Sequence, residues 1–236
     1  MSTPISNPTE HHAARRAAFR AEAAKLDRID TAVYAEYGKD PLEPIIGGGP
    51  RDAPFAVFGR DPGRDEVRHG VPFIGAGGQK VRAELYRACT GEDLPDFEAS
   101  RVVGERVFWG NTCPYKPLGN KAWSVKVKKA MWPLMASVLL EDWDGHKVIT
   151  LGREAFFWFG LMSDRPTRQS LEAFWAREDR FESAFPFELV LGAQRKKLEI
   201  QPLPHPSPLN ATWYGRFPGL LQARLKKMGW PGNRSV

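Results

Sequence analysis

The chain is 236 residues long, 42% hydrophobic and 11% aromatic, enough apolar material for one large folded domain and too much for a disordered chain. Its 34 Lys+Arg against 28 Asp+Glu give a net charge of +6, a modest surplus that tilts towards polyanionic partners without establishing one. No apolar run reaches membrane-spanning length and the N-terminus lacks a signal-peptide core; Cys89 and Cys113 fit a reducing compartment, so a cytoplasmic protein is expected.

Met1 to about Pro8 reads as a frayed tail, after which Thr9 can cap a helix running to roughly Tyr37. Phe19, Ala23 and Leu26 form a narrow apolar stripe on it, and Arg15, Arg16 and Arg20 read as a solvated face. Pro41, Pro44 and Gly47 to Pro50 make a linker. Residues 1–50 are therefore expected to form a helical arm and linker, and 51–236 the main domain.

Pro54 to Gly59 reads as a short buried strand that Gly59 stops. Arg60-Asp61-Pro62-Gly63 then forms a stiff loop carrying a lone carboxylate, because proline sets one dihedral and glycine permits a tight turn. Open α/β sheets keep their sites at such strand ends, although Asp-Pro-Gly is also an ordinary turn. Arg64 to Gly70 reads as a charged loop, and Phe73 lies in the loop that follows it. Gly75-Ala-Gly-Gly78 opens a helix to about Cys89; its free N–H groups suit an anion, but the lysine and spacing of a nucleotide P-loop are missing.

A second strand, Arg106 to Asn111, ends in a polar amide, and the loop to Lys121 carries Lys116. A helix follows from about Trp123 to Leu140, with Lys126, Lys128 and Lys129 near its start. Lys147 to Gly152 is the third strand and Arg153 to Phe159 a short aromatic helix; residues 163–180 are charged and have no clear assignment. Phe187–Leu191 and Leu198–Pro202 alternate as the arms of a hairpin, and a last helix spans roughly Tyr214 to Met228. Strands alternating with helices call for an α/β fold, a three-layer αβα sandwich around a central four-stranded, mainly parallel sheet.

Three strand ends thus carry Asp61, Asn111 and His205, each in a glycine- or proline-rich loop. In motif content and order the chain resembles the uracil-DNA glycosylase superfamily. Gly59-Arg-Asp-Pro-Gly63 resembles its water-positioning first motif. Pro72-Phe73-Ile-Gly75 with Gly78-Gln79 resembles the Pro-Phe-x-Gly-x-x-Gly-Gln segment of its thermophilic-type members. Asn111, followed by Lys116-Pro117 and Gly119-Asn120-Lys121, resembles their asparagine and Arg-Pro-Pro-Gly-Asn-Arg. Leu151-Gly152 fits a strand end, and His205-Pro-Ser-Pro-Leu209 is similar to the second catalytic motif.

Two departures stand out. The thermophilic-type members hold an iron–sulfur cluster on four cysteines; here Tyr115 fills the slot before Lys116-Pro117, so no cluster, metal or other cofactor is expected. They have Glu-Ala where this chain has Arg60-Asp61; the aspartate resembles the classical uracil-specific enzymes, although Gly63 replaces their aromatic residue. The basic insertion with a trapping histidine found in covalent uracil-binding members is missing after Asn111, which favours turnover.

The resemblance implies a monofunctional enzyme that removes uracil from single- or double-stranded DNA, releasing the free base and leaving an abasic site. Xanthine or hypoxanthine are possible further substrates, and the alternative is a non-catalytic DNA- or base-binding module on the same fold. Asp61 and His205 take the catalytic roles; Gly59, Arg60, Phe73 and Asn111 contact the base. Ser207, Pro208 and Leu209 enter or flank the DNA, and Lys116, Lys121, Lys126 and Arg216 meet its backbone. On spacing alone, Asn111 reads equally as a turn cap and Phe73 as a core residue. The protein is expected to work as a monomer without membrane contact.

Overall fold

Phe55 and Val57 belong to one hydrophobic cluster and Ala56 and Phe58 to another, so the strand Ala56–Gly59 (β1) is buried on both faces and separates two cores. The computed structural model describes residues 8–207 and 210–231. Before β1 come α1 (Pro8–Ala23) and α2 (Thr31–Glu36). After it follow α3 (Arg64–His69), α4 (Ala76–Thr90), α5 (Phe97–Gly104), β2 (Phe108–Asn111), α6 (Val125–Glu141) and β3 (Lys147–Leu151). Then come α7 (Arg153–Trp158), α8 (Arg165–Ala176), the hairpin strands β4 (Phe185–Leu191) and β5 (Gln194–Leu203), α9 (Ala211–Tyr214) and α10 (Phe217–Met228).

Among the described residues the sheet has five strands in the order β2-β1-β3-β5-β4. Four run parallel, and β4 lies antiparallel to β5 at the edge. The expected count of four is thereby corrected to five. The sequence shows the hairpin; that its first arm extends this same sheet is a tertiary fact. Helix α6, with Met131 and Met135, α7 with Phe156, and α8 with Leu171 cover one face, where Phe19 of α1 also packs. Helices α4, α5 and α10 cover the other through Val81, Leu85, Val103, Leu221 and Leu225. These are the layers of an αβα sandwich.

The register sets where chemistry can sit. Gly59 pairs with Asn111, and Leu151 pairs with Leu203, so all four parallel strands finish at one edge. Their outgoing loops form a single rim, the usual place for ligands on open α/β sheets.

Three local expectations need correction. The N-terminal helix is broken into α1 and α2, because residues between them are taken by tertiary contacts. Ile29 forms an antiparallel bridge with Pro117, and the Asp30 N–H donates to the Lys116 carbonyl at 3.0 Å. The arm's arginines are ion-paired rather than simply solvated, Arg15 with Glu141 and Asp142, Arg16 with Glu43, and Arg20 with Asp40 and Glu43. The charged stretch Arg64 to Gly70 is helical (α3), since Glu66 reaches back to accept the Gly63 N–H at 2.9 Å, half of a capping box. The unassigned stretch contains α8, capped by Asp164, whose carboxylate accepts from the Thr167 N–H at 2.9 Å, with Pro166 in the first turn.

Candidate active site

Asp61 leaves β1 on a loop that β2 fastens from below. The Thr112 N–H donates to the Gly59 and Arg60 carbonyls, both at 2.9 Å, and its hydroxyl donates to the Arg60 carbonyl at 2.5 Å. The same hydroxyl stands 3.3 Å from Asp61 Oδ1. Arg60 Nε lies 3.0 Å from Asp61 Oδ2 as an ion pair, but out of alignment, so Oδ2 has no well-formed hydrogen bond. The Asp61 side chain is only 1% exposed. Desolvation pushes its pKa up to about 7, against the pull of Arg60, Lys128 and Thr112. A carboxylate with so little compensation is expensive to keep, and such groups concentrate at functional sites.

Phe73 is held in an unusual way. Its backbone sits at φ 54, a left-handed conformation uncommon for a bulky residue. Gly78 makes this possible, because a Cβ there would overlap the Phe73 carbonyl group. Arg82, buried in α4, donates to the Phe73 carbonyl at 2.8 Å, to the Pro72 carbonyl at 3.2 Å and to the Ser100 carbonyl at 2.8 Å. Its guanidinium also lies over Trp109, whose ring is 5.0 Å from that of Phe73. The aromatic ring is thus locked in place from both ends. Glu66 ties this loop to the Asp61 loop, one oxygen accepting from Gly63 N–H and the other from Gly75 N–H at 2.8 Å.

Asn111 ends β2 and is 3% exposed. It meets Phe73 across Gly59: a Cβ on that glycine would fall 2.5 Å from Phe73 Cζ and 3.3 Å from Asn111 Oδ1. Gly59 therefore has to be glycine for ring and amide to share one wall. His205 follows β5 and packs on Gly152, where a Cβ would stand 3.0 Å from its own Cβ. Asn210 Nδ2 donates to the His205 carbonyl at 3.2 Å. Desolvation, and then the nearby Arg60 guanidinium, lower the His205 pKa and so favour the uncharged imidazole.

A cleft of about 380 Å³ collects Gly59, Arg60, Asp61, Phe73, Asn111, His205 and Ser207 in its walls. Pro208 and Leu209 lie outside the described residues. Lys121, Lys126 and Arg216 are exposed, with Arg216 over the Trp213 ring. Lys116 is a correction: it is 3% exposed, and its Nζ is bound to Asp30 Oδ2 at 2.7 Å, which takes it out of reach of a DNA backbone. Lys116→Met should leave Asp30 buried without its partner and lower stability by about 3 kcal/mol. Thermal unfolding measures this, and an unchanged midpoint would contradict it.

Three site residues escaped the sequence reading. Glu66 was legible from its spacing after Gly63. Lys128, buried against Glu154 and felt by Asp61, falls with Met131 and Met135 on the inward stripe of α6, which is a visible signal. Arg82 carries no local signal, since its partners are carbonyls distant in sequence.

Among the described residues no group of three His, Cys, Asp or Glu side chains could hold a metal ion. The two cysteines pack with opposite faces of the sheet, Cys113 wholly buried in one cluster and Cys89 against the other. Two thiols so placed do not fit a four-thiolate cluster.

The sequence model of the Uracil DNA glycosylase superfamily matches residues 46–229. The chain belongs to this superfamily. The match covers all four parallel strands and every residue of the cleft, and the αβα sandwich is consistent with the superfamily's fold. A search of curated proteins finds no match. Superfamily membership brings DNA as the expected partner and glycosylase chemistry as the expected class of reaction. No helix among the described residues is long and apolar enough to cross a membrane.

Proposed function

We propose that the chain is a monofunctional DNA glycosylase that hydrolyses the N-glycosidic bond of uracil in DNA and leaves an abasic site. The observation that carries this reading is the convergence of a buried carboxylate, an amide, an aromatic ring and an imidazole on one cleft. An everted uracil would stack on Phe73, worth about 1–3 kcal/mol by base–aromatic precedent. Its N3–H would donate to the Asn111 oxygen and its O4 accept from the amide nitrogen. Water would add to the sugar C1′ as the C1′–N1 bond breaks and its electron pair leaves with the base. Asp61, ionised, stabilises the cationic sugar and takes the water's proton; His205 donates a hydrogen bond to the uracil O2 as charge develops there.

A non-catalytic binding module is the weaker reading. A binder gains nothing from a buried, poorly hydrogen-bonded carboxylate, whereas glycosidic cleavage needs a negative charge at the sugar. Substrate breadth is proposed to include other deaminated bases such as xanthine or hypoxanthine, because Gly63 puts no bulky side chain in the first loop. The test is excision from single- and double-stranded uracil oligonucleotides, read on a gel after alkaline cleavage. Absence of abasic sites would sink the catalytic reading.

Base selection has its own test. Cytosine presents the reverse donor and acceptor pattern, so a fixed amide rejects it by leaving buried polar groups unpaired. Asn111→Asp should raise cytosine excision by roughly tenfold or more while lowering that of uracil, in single-turnover assays on matched oligonucleotides. Equal selectivity in variant and wild type would remove Asn111 from this role.

A further inference from the structure

The turn Leu118–Asn120 has no part in the scheme above, yet it stands on the lip of the cleft. Pro117, just before it, and Asn120, its last residue, contribute to the cleft wall. Leu118 is 51% exposed, one of few large apolar side chains left in solvent among the described residues. Single exposed leucines are ordinary on protein surfaces, so exposure alone would carry nothing. The way this one is held is different.

Gly119 and Asn120 both adopt left-handed backbone, at φ 64 and φ 55, which throws the turn outward as a tight knuckle. Both of its ends are fastened. The Leu118 N–H donates to the Arg28 carbonyl at 2.8 Å, and Arg60 Nη2 donates to the Asn120 carbonyl at 2.8 Å. Beneath it lies the buried Lys116–Asp30 pair, and Ile29 bridges to Pro117. Left-handed backbone, two tethers and a buried ion pair are spent on fixing a turn whose leucine packs only half its surface. Arg28 and Lys121 beside it are exposed cations, matched to a polyanion.

We propose that Leu118 is a DNA-penetrating side chain, entering the base stack of a double-stranded substrate beside the everted nucleotide, with Arg28 and Lys121 on the flanking phosphates. Apolar wedges of this kind unstack a base step and hold the duplex open, and a preorganised tip does so without an ordering penalty. The wedge is needed only where there is a stack to open. A single-stranded substrate offers none, so Leu118 should act on duplex substrates alone. Arg60 tethers the same turn, which places the knuckle and the acid loop in one rigid unit.

This inference rests on the reading of the cleft as a site for an everted base in DNA, and its test separates the two. Leu118→Ala should excise uracil from single-stranded oligonucleotide within about twofold of wild type, but from a U·A duplex roughly tenfold more slowly. A U·G duplex, already weakly paired, should lose less. Equal rates on the duplex, or parallel losses on both substrates, would overturn the proposal. Binding gives a second readout that needs no turnover. With a duplex carrying 2-aminopurine next to a tetrahydrofuran abasic analogue, wild type should raise the 2-aminopurine fluorescence and Leu118→Ala should raise it at least severalfold less, with Leu209 intact in both. An identical rise with both proteins would overturn the wedge even if the protein proves to be a binder. Lack of excision by wild type on every substrate would instead count against the glycosylase reading.

Discussion

Asp61→Asn is expected to lower single-turnover uracil excision by about a thousandfold while the protein stays folded and at least as stable as wild type. The two halves of that result come from one cause. Asp61 is all but inaccessible, and burial raises its pKa to about 7. Its folded-state pKa lies above the unfolded value, so the folded state binds more protons and this group's contribution to stability declines as pH rises from about 4 to 7. Asparagine removes that penalty and keeps the shape, so its advantage in melting temperature should grow over the same pH window. Activity should follow the opposite course, because in the proposed mechanism only the ionised acid stabilises the sugar cation. Wild-type kcat/KM should therefore rise with pH and level off above about 7. Arg60→Gln should move that limb to higher pH, since the guanidinium beside Asp61 favours its charged form. A fully active Asp61→Asn variant, or a flat pH profile through neutrality, would overturn the assignment.

His205→Ala is expected to cost a hundredfold to a thousandfold, at about 3–4 kcal/mol for one preorganised donor aimed at a developing anion. The surroundings of the ring favour its uncharged form. Desolvation and the Arg60 charge both disfavour the imidazolium, so the ring should remain neutral where Asp61 is ionised. Both groups are then in their working forms on the same side of neutrality, and no second limb should appear at moderately alkaline pH. Because the His205 ring opens onto the cleft and the residue's carbonyl is held by Asn210, truncation should leave the melting temperature nearly unchanged. Loss of kcat with KM preserved would mark a transition-state contact. A loss confined to KM would reassign His205 to binding.

The candidate site was legible to the extent that its residues sit at ends of strands. Short apolar runs stopped by glycine or a polar amide gave away Gly59 and Asn111, and proline-rich flanks marked Asp61 and His205. Parallel pairing in register then places such ends on one edge, so alternation of strand and helix carried most of the inference that they meet. Phe73 was visible as an aromatic residue in a loop, and its neighbours Gly75 and Gly78 as the start of a helix.

What local sequence could not carry are contacts between residues far apart in the chain. Lys116 looked like any loop lysine, and only its pairing with Asp30, 86 positions earlier, turns it from a DNA contact into a buried staple. That same contact breaks the N-terminal helix, whose apolar stripe was otherwise sound as far as Ala23. Arg82 clamps Phe73 through carbonyl groups, which have no side-chain signature to read. The hairpin strand β4 joined the sheet rather than standing apart because β5 had a free edge to pair with. Local propensity and spacing thus marked the five strands, the longer helices α4, α6 and α10, and the polar residues that follow or end β1, β2 and β5. Tertiary packing decided which charges are buried, which loops are tethered, and that Asp61 is desolvated enough for its pKa to rise to about 7.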